Sequence, residues 1–269
     1  MTDSYIMGYS EAYLRILSSR STADTCRYLM PCLKPGLRVL DVGCGPGSIS
    51  AGLAEAIRPG ELHGIDIDPS QVEMAAQEAV DRGVTNAKFS VADLRDLPFE
   101  DSSFDVVHCN DTLAFIPDTE APLNEMKRVL KSGGILGWRE MIMDLFMTYP
   151  DPDPHPASQA YAIFADTLEA DDGHPQMGKE LAEHLDQAGF ANIRMSASFE
   201  VFAGTERLKL LYDLSEQWFF MPDVQIPATQ YGAATPRMFE TLKQSIERWY
   251  HATGAIGAFA FGEALAVKP

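Results

Sequence analysis

The chain has little of what would direct it to a membrane or to nucleic acid. No apolar run approaches the roughly 20 residues of a transmembrane helix, and no segment has the pattern of a signal peptide. Lys and Arg number 21 against 39 Asp and Glu, so the net charge is −18. Because nucleic acids and anionic membranes bind basic surfaces, we expect neither as a partner, and we expect a cytoplasmic protein.

Cysteine is also scarce. The four cysteines, Cys26, Cys32, Cys44 and Cys109, show no C-x-x-C spacing. This pattern predicts free thiols in a reducing compartment, without a disulfide or a zinc site, and we expect no metal. Apolar residues make up 46% of the 269 positions, which supports the core of one large α/β domain, with or without an insertion.

What the sequence does contain is a glycine-rich turn between a short apolar strand and a helix. Residues 38–47 read RVLDVGCGPG, with glycine at every second position of the turn. Glycine lacks the Cβ atom that would keep a ligand away from the backbone. The helix that follows, residues 48–57, directs its first N–H groups beyond the strand, and Ser48 is predicted as its N-cap. The turn therefore predicts a binding site for a small polar ligand.

Two classes of ligand compete for this turn. The dinucleotide pattern is G-x-G-x-x-G, but here the third glycine comes one residue early and Ser48 occupies its place. A second strand, residues 61–68, carries Asp66 about 20 residues after the turn, where an acid accepts both hydroxyl protons of a ribose. A third strand, residues 87–93, ends at Asp93, which suits an exocyclic amino group better than further phosphates. We therefore favour a nucleoside derivative over NAD.

Five segments, taken together, resemble one enzyme family in their order and spacing. They are residues 39–47, 64–66, 92–99, 104–107 and 125–134. The family is the class I S-adenosylmethionine (SAM)-dependent methyltransferases. Within it, the branch of ubiquinone and menaquinone biosynthesis enzymes and small-molecule natural-product methyltransferases is most similar. The resemblance covers roughly residues 36–142, and the combination of segments is highly specific.

The alternation of strands and helices from Arg38 to about Phe202 predicts a parallel sheet with helices on both faces. The resemblance implies an α/β, Rossmann-like, seven-stranded sheet of six parallel strands and an antiparallel last strand. We predict the fifth strand at residues 135–141 and the sixth at residues 192–202.

We expect a single domain over residues 1–269. Its parts are an N-terminal helical cap (1–35), the SAM-binding core (36–142), insertions (143–175 and 204–253) and the last strand (255–267). The insertions are expected to form a helical lid over the substrate pocket, although simple coverage of the core is the alternative. Tyr5 and Tyr9 either close the mouth of the cofactor site or pack against the domain.

The resemblance implies S-adenosyl-L-methionine as the cofactor and assigns roles to residues near the strand ends. The glycine turn would wrap the methionine part, with Asp41 organising its amino group. Asp66 would hold the ribose hydroxyls and Ile67 would lie against the adenine, while Asp93 and the Leu94 N–H would bind the adenine edge. For Asp66 and Asp93 the alternative is helix capping or turn formation. The expected cofactor-binding residues are Asp41, Gly43, Cys44, Gly45, Gly47, Asp66, Ile67, Asp93, Leu94 and Asn110.

Three side chains are candidates for a base or an acceptor clamp. Glu140 ranks first, because the branch often carries an acid at the end of the fifth strand, and Asp111 ranks next. His108 is the third, although its place inside the fourth strand favours a hydrogen-bonded core histidine. Many relatives carry Leu-x-His after that strand, whereas this chain has Leu113-Ala114-Phe115. A base from that loop is therefore in question.

The sequence thus predicts transfer of the SAM methyl group to O, N or C of a small organic acceptor by in-line displacement. A second hypothesis is a SAM-binding protein of this fold that catalyses a non-methylating reaction such as cyclisation, or that acts as a binding module. A nucleotide-dependent oxidoreductase is the third. A homodimer is compatible with each of them.

Overall fold

In the computed structural model, which describes residues 9–151, 157–220 and 222–269, the described strands form one sheet. The strands are β1 (Arg38–Val42), β2 (Glu61–Asp66), β3 (Ala87–Val91), β4 (Phe104–Asn110), β5 (Leu130–Tyr149), β6 (Ala191–Ala203) and β7 (Ile256–Val267). Their order is β3-β2-β1-β4-β5-β7-β6, and only β7 runs antiparallel to its neighbours. The predicted sheet is confirmed. Because the strand order reverses between β1 and β4, ligands are expected at the carboxyl ends of these strands.

Helices cover both faces of the sheet. They are α1 (Glu11–Ser19), α2 (Thr22–Thr25), α3 (Ser48–Ala56), α4 (Pro69–Asp81), α5 (Glu120–Val129), α6 (Ser158–Ala170), α7 (Met177–Gln187), α8 (Thr205–Trp218), α9 (Pro222–Gln230) and α10 (Pro236–Tyr250). Side chains of a strand alternate between faces. Val39 accordingly packs with Leu53 of α3, whereas Leu40 lies in the opposite core with Leu123 of α5 and Leu181 of α7. No helix within the described ranges is long and apolar enough to cross a bilayer.

Helix α7 lies unusually close to the sheet. Its Gly178 packs on the backbone of β7, where a Cβ atom at Gly262 would overlap the Gly178 backbone. A Cβ at Gly178 would itself come within 2.5 Å of the Glu140 carbonyl oxygen. Two glycines facing one another therefore set the distance between this helix and β5 at Glu140.

Strand β5 is much longer than predicted. Instead of ending at Met141 it continues to Tyr149, because β7 pairs with it in antiparallel register as far as Tyr149 opposite Ile256. A register shift lies between Ile142 and Met147. The partner strand lies more than a hundred residues away in sequence, so local patterning gave no sign of this extension. The predicted insertion at residues 143–175 thus begins as sheet and continues as α6.

The extended strands carry a third apolar core. It brings together α1, α6, α8, α9 and α10 on the part of the sheet that projects beyond β4. Within it the rings of Phe146 and Tyr161 lie 3.8 Å apart, and those of Phe146 and Phe259 lie 4.7 Å apart. The Trp249 indole donates a hydrogen bond to the Ile256 carbonyl oxygen at 3.0 Å. The N-terminal helix and the inserted helices therefore share one packed layer.

The start of α3 corrects one expectation. Gly47, with a φ of 81°, occupies the N-cap position and offers no side-chain cap. Ser48 lies inside the helix, and its hydroxyl donates to the Leu17 carbonyl oxygen at 2.8 Å. The Gly47 N–H closes the turn onto the Cys44 carbonyl oxygen, and the helix begins at Ser48, one residue earlier than a serine N-cap at that position would require. The first N–H groups of α3 consequently have no side-chain cap.

Candidate active site

The glycine turn after β1 has one open position and two packed ones. Gly43, Gly45 and Gly47 all have positive φ angles, of 70°, 50° and 81°, which L-residues rarely adopt. At Gly43 a Cβ would lie 2.8 Å from Thr112 Cγ2, and at Gly47 it would lie 2.6 Å from the Ala75 α-carbon. At Gly45 a Cβ would meet no protein atom within 4 Å. The backbone at Gly45 is therefore open to a ligand.

Asp66, at the end of β2, lies directly against this open position. Its Oδ2 accepts from the Gly45 N–H at 2.9 Å, and its Oδ1 accepts from the Asp68 N–H at 3.0 Å. Burial raises the pKa of Asp66, although the two N–H groups oppose this. Asp68, rather than Asp66, caps α4 by accepting from the Ser70 N–H, so Asp66 does not serve as the helix cap.

Ile67 follows Asp66 with a side chain that is 56% exposed. A large apolar side chain in the open beside an acid suits a ligand with a flat apolar ring next to a sugar. Tyr9 approaches from the N-terminal segment. Burial, followed by the charges of Asp66 and Asp68, raises the pKa of the Tyr9 phenol. Tyr5 lies outside the described residues.

Asp93 reaches the same edge of the sheet from the end of β3, where the Ala92 N–H donates to the Asp66 carbonyl oxygen at 3.0 Å. Its carboxylate is held by Arg95, with Nη2 at 2.7 Å from Oδ2 and Nε at 3.0 Å from Oδ1. Hydrogen bonding by Arg95 lowers the pKa of Asp93. Leu94 is half-buried and packs at the border of the core beneath.

Cys44 lies within the turn as a small buried side chain. Burial, followed by the carboxylates of Asp41 and Asp66, raises the pKa of the Cys44 thiol well above its ordinary value. The thiol is thus uncharged at neutral pH and is no nucleophile. Its contribution to the turn is its size.

Asp41 and His108 face away from the ligand edge. They are register partners on β1 and β4, and His108 Nδ1 lies 2.7 Å from Asp41 Oδ1. His108 Nε2 contacts the Cys26 sulfur at 3.3 Å, and Ser50 donates to the second Asp41 oxygen. Burial lowers the pKa of His108, but Cys26 and Asp41 outweigh it and raise the pKa to about 10.

This buried pair corrects the expected role of Asp41 and agrees with the alternative of a hydrogen-bonded core histidine for His108. His108 is fully enclosed and bonded at both nitrogens, so it has no access to an acceptor as a base. Asp41 has both oxygens engaged beneath the turn and does not reach toward an amino group above it. The physical reason is strand alternation, which turns both side chains toward α2 and α3.

The end of β4 carries two polar side chains. Asn110 Oδ1 accepts from Arg139 Nη1 at 3.0 Å. Asp111 is 8% exposed and has a φ of 55°, a strained value for a residue with a side chain. Its Oδ2 accepts from Arg20 Nη1 at 3.1 Å, whereas its buried Oδ1 has no partner among the described residues. Sequence reasoning missed Arg20, which also pairs with Glu200 of β6.

Glu140 lies behind this turn instead of facing the acceptor. Its side chain is 0% exposed. Its oxygens accept from the N–H groups of Thr112 and Leu113 and from the Trp138 indole, at 2.8 to 3.1 Å. Burial, followed by the charge of Asp111, raises the pKa of Glu140 to about 7. The expectation of an acceptor-facing carboxylate is corrected, because period-two alternation places Glu140 on the face of Trp138.

The geometry fits an adenosyl ligand. Space is open above Gly45, a carboxylate lies against the turn at Asp66, and Ile67 offers an exposed apolar surface. Polar groups of Asp93, Asn110 and Asp111 lie at the same carboxyl edge of the sheet.

Comparisons with known proteins agree with this geometry. Residues 33–160 match a family model described as a methyltransferase domain. "Uncharacterized methyltransferase C1B3.06c" of Schizosaccharomyces pombe is 30% identical over 211 residues, 74% of each chain. Demethylmenaquinone methyltransferase of Geobacillus kaustophilus is 30% identical over 61% of this chain and 74% of its own. "Probable methyltransferase ltbC" of Aspergillus luteorubrus is 36% identical, but the match spans only 55% of each chain.

Solved structures share the fold at low identity. The YcgJ protein of Bacillus subtilis has a TM-score of 0.62 at 17% identity, over 91% of this chain and 97% of its own. Phosphoethanolamine N-methyltransferase 2 of Haemonchus contortus, in complex with S-adenosylhomocysteine, has a TM-score of 0.59 at 20% identity. The match covers 100% of this chain and 58% of its own. The [4+2]-cyclase SpnF has a TM-score of 0.53 at 21% identity, and the match covers 96% of this chain and 80% of its own. The chain belongs to the class I SAM-dependent methyltransferases, and S-adenosyl-L-methionine is its cofactor.

Proposed function

We propose that this methyltransferase moves the SAM methyl group to O, N or C of a small organic acceptor by in-line displacement. The observation that carries the proposal is the open backbone of Gly45 facing the Asp66 carboxylate, with an Asp111 oxygen at the same sheet edge that has no partner among the described residues. The cofactor supplies a methyl group on a positively charged sulfur that leaves as a neutral thioether. The chain therefore needs chiefly to bind, orient and exclude water, which alone lowers a barrier by roughly 7–11 kcal/mol.

The cofactor residues are assigned as follows. Gly43, Cys44, Gly45 and Gly47 follow the methionine part, and Asn110 lies near that end. Asp66 accepts from both ribose hydroxyls, since its carboxylate keeps lone pairs beyond the two that the backbone uses. Ile67 lies against the adenine, while the Leu94 N–H and Asp93 serve the adenine edge. Arg95 leaves Asp93 acceptor capacity, because an ionised carboxylate offers about four lone-pair positions.

Asp111 is the side chain proposed to contact the acceptor, as a clamp or a base. Arg20 holds one of its oxygens, and the other is buried without a partner among the described residues. A buried, unsatisfied carboxylate oxygen costs about 1–3 kcal/mol, which a hydroxyl or N–H group of an acceptor would offset. Two unfavourable features at one residue, the strained φ and the unpaired oxygen, point to a functional position.

The remainder of the chain would enclose the acceptor. We propose one domain over residues 1–269, with the N-terminal cap (1–35) and the insertions (143–175 and 204–253) as the roof of the pocket. The shared apolar core of α1, α6, α8 and α10 supports this, because these helices pack as one layer. The last strand (255–267) would then be part of both the SAM-binding core and the layer that encloses the acceptor.

Small-molecule acceptors are favoured for two reasons. The names of two similar proteins, demethylmenaquinone methyltransferase and phosphoethanolamine N-methyltransferase 2, refer to small-molecule substrates. The net charge of −18 disfavours nucleic acid and anionic membranes as partners, and we propose a cytoplasmic enzyme, as a monomer or a homodimer.

A second candidate is SAM-dependent chemistry without methyl transfer. It is favoured by one observation, the shared fold with the [4+2]-cyclase SpnF. Mass spectrometry of acceptor products, together with S-adenosylhomocysteine release, separates the two. Methyl transfer adds one methyl group per S-adenosylhomocysteine formed, whereas cyclisation leaves the acceptor mass and the cofactor unchanged.

Thermal unfolding with SAM, S-adenosylhomocysteine and NAD tests the cofactor site first. A ligand at 100 times its dissociation constant stabilises by about 2.7 kcal/mol. SAM and S-adenosylhomocysteine should both raise Tm, and NAD should not. A panel of quinols, amino alcohols and phenols then identifies the acceptor class. Methyl transfer to none of the three, by an enzyme that binds SAM, would favour the second candidate.

A further inference from the structure

The Glu140 carboxylate accepts hydrogen bonds from the backbone of the turn that follows β4. Thr112 N–H lies 3.1 Å from both carboxylate oxygens, Leu113 N–H lies 2.8 Å from Oε1, and the Trp138 indole donates to the same oxygen at 2.8 Å. A buried carboxylate is costly unless it is hydrogen-bonded, and hydrogen bonds to an ionised acceptor are the stronger kind. Three N–H groups from two chain segments therefore converge on one buried charge.

The turn held in this way is strained and lies beside the cofactor cradle. Asp111, immediately before the two bonded amides, has a φ of 55°. Such a conformation persists only when surrounding contacts enforce it. The Thr112 side chain packs on Gly43, so closely that a Cβ there would lie 2.8 Å from Thr112 Cγ2. The Thr112 hydroxyl also donates to the Asn110 carbonyl oxygen at 3.0 Å.

A continuous set of contacts thus runs from Glu140, in the middle of β5, to the glycine turn. Glu140 bonds the backbone of Thr112, and the side chain of Thr112 packs against Gly43. Gly178 of α7 packs on the carbonyl oxygen of Glu140 and restrains it from behind. Displacing the carboxylate would therefore move both the cofactor turn and Asp111.

We propose that Glu140 is a positioning residue that clamps residues 111–113 against the glycine turn, and so presents Asp111 to the acceptor. The proposal rests on the proposed function and deepens it. Glu140 touches neither cofactor nor acceptor and transfers no proton. It acts by fixing the place of the groups that do. Misplacement of reacting groups by about 1 Å lowers rate on the order of 100-fold, so the clamp is essential to turnover.

The test is Glu140→Gln, read by amide hydrogen exchange and by calorimetry with S-adenosylhomocysteine. In the glutamine variant, an NH₂ group replaces one of the two oxygens that accept from the N–H groups of Thr112, Leu113 and Trp138. Because an NH₂ group cannot accept these hydrogen bonds, the turn should loosen. We expect the Thr112 and Leu113 amides to exchange at least tenfold faster, cofactor affinity to fall several-fold and kcat to fall on the order of 100-fold. Glu125→Gln is the matched control, because Glu125 also accepts a backbone N–H, from Leu97 at 2.8 Å, but lies on α5.

Glu140→Asp keeps the charge but shortens the reach, and it serves if the glutamine variant does not fold. It should show the same loosened amides. Protected amides and unchanged S-adenosylhomocysteine affinity in either folded variant would overturn the clamp. Lost turnover with unchanged exchange and affinity would do so as well, because it would indicate a direct chemical role. Failure of the wild-type protein to bind SAM would instead overturn the proposed function, since the exchange measurement needs no cofactor.

Discussion

Asp66 Oδ2 and the Gly45 amide lie 2.9 Å apart, so the acid that ends β2 is bonded to the open position of the turn after β1. Two segments separated by 21 residues thereby form one surface. A ligand that enters above Gly45 meets a carboxylate already oriented by the backbone. Preorganisation of this kind reduces the entropy that binding must overcome.

Replacing Asp66 with alanine should weaken S-adenosylhomocysteine binding roughly 10- to 100-fold. Hydrogen bonds to a charged group contribute about 1.5–3 kcal/mol, and the ribose would lose its acceptor. Isothermal titration calorimetry measures the change. Asp81→Ala, at the exposed end of α4, is the control and should bind as the wild type does. Equal affinity in a folded Asp66→Ala protein would remove the ribose assignment.

Cofactor binding should depend on pH through Glu140. Its pKa is raised to about 7, so raising the pH through this value ionises it and strengthens its bonds to the Thr112 and Leu113 amides. Affinity for S-adenosylhomocysteine should therefore increase as pH rises through about 7, and Glu140→Gln should lose that dependence.

Asp111 also bears on this titration, because its charge raises the pKa of Glu140. The same calorimetric series on Asp111→Asn measures its contribution. A wild-type profile that survives in Glu140→Gln would assign the dependence to another group.

Replacing His108 with glutamine should lower the free energy of unfolding by about 3–5 kcal/mol, because it leaves the buried Asp41 charge without its partner. The pKa of His108 is raised from 6.5 to about 10, so its stabilising effect is complete below pH 6.5 and is lost as pH rises through about 10. Urea denaturation at several pH values should show the difference between wild type and variant shrinking toward alkaline pH. Reduced turnover at unchanged stability would restore His108 as a catalytic candidate.

Gly262→Ala should destabilise the fold by about 1–3 kcal/mol, since the added Cβ would overlap the backbone of Gly178 and push α7 from the sheet. Urea denaturation measures the loss, and the loosened helix should also speed amide exchange in α7. Equal stability would mean that α7 shifts without cost.

Features that depend on nearby residues could be predicted from the sequence. The glycine turn and Asp66 are such cases, since strand, turn and acid follow one another within one βαβ unit. Asp111, ranked after Glu140 as a candidate clamp or base, likewise lies next to a predicted strand, immediately after β4.

The sequence-based prediction did not identify which face of the sheet a side chain lies on, or which distant segments pair. Glu140 was placed correctly along β5, but its face follows from period-two alternation with Trp138, a signal that the sequence contained. Arg20 offered no such signal, because its partners, Asp111 in the turn after β4 and Glu200 in β6, are far from it in sequence. The length of β5 was likewise hidden, because its pairing with β7 joins segments far apart in the chain.

Strand β5 reaches seven residues past Ile142, the last position before its register shift, and this overhang supports the inserted helices. The residues proposed to bind the common cofactor follow β1, β2 and β3, whereas the helices that would select the acceptor pack on the overhang of β5. With the helices enclosing the acceptor as proposed, sequence drift in α6, α8 and α10 would reshape the acceptor pocket while the cofactor-binding residues stay unchanged. A family with this arrangement could change its substrates by changing the helices that pack on the overhang of β5.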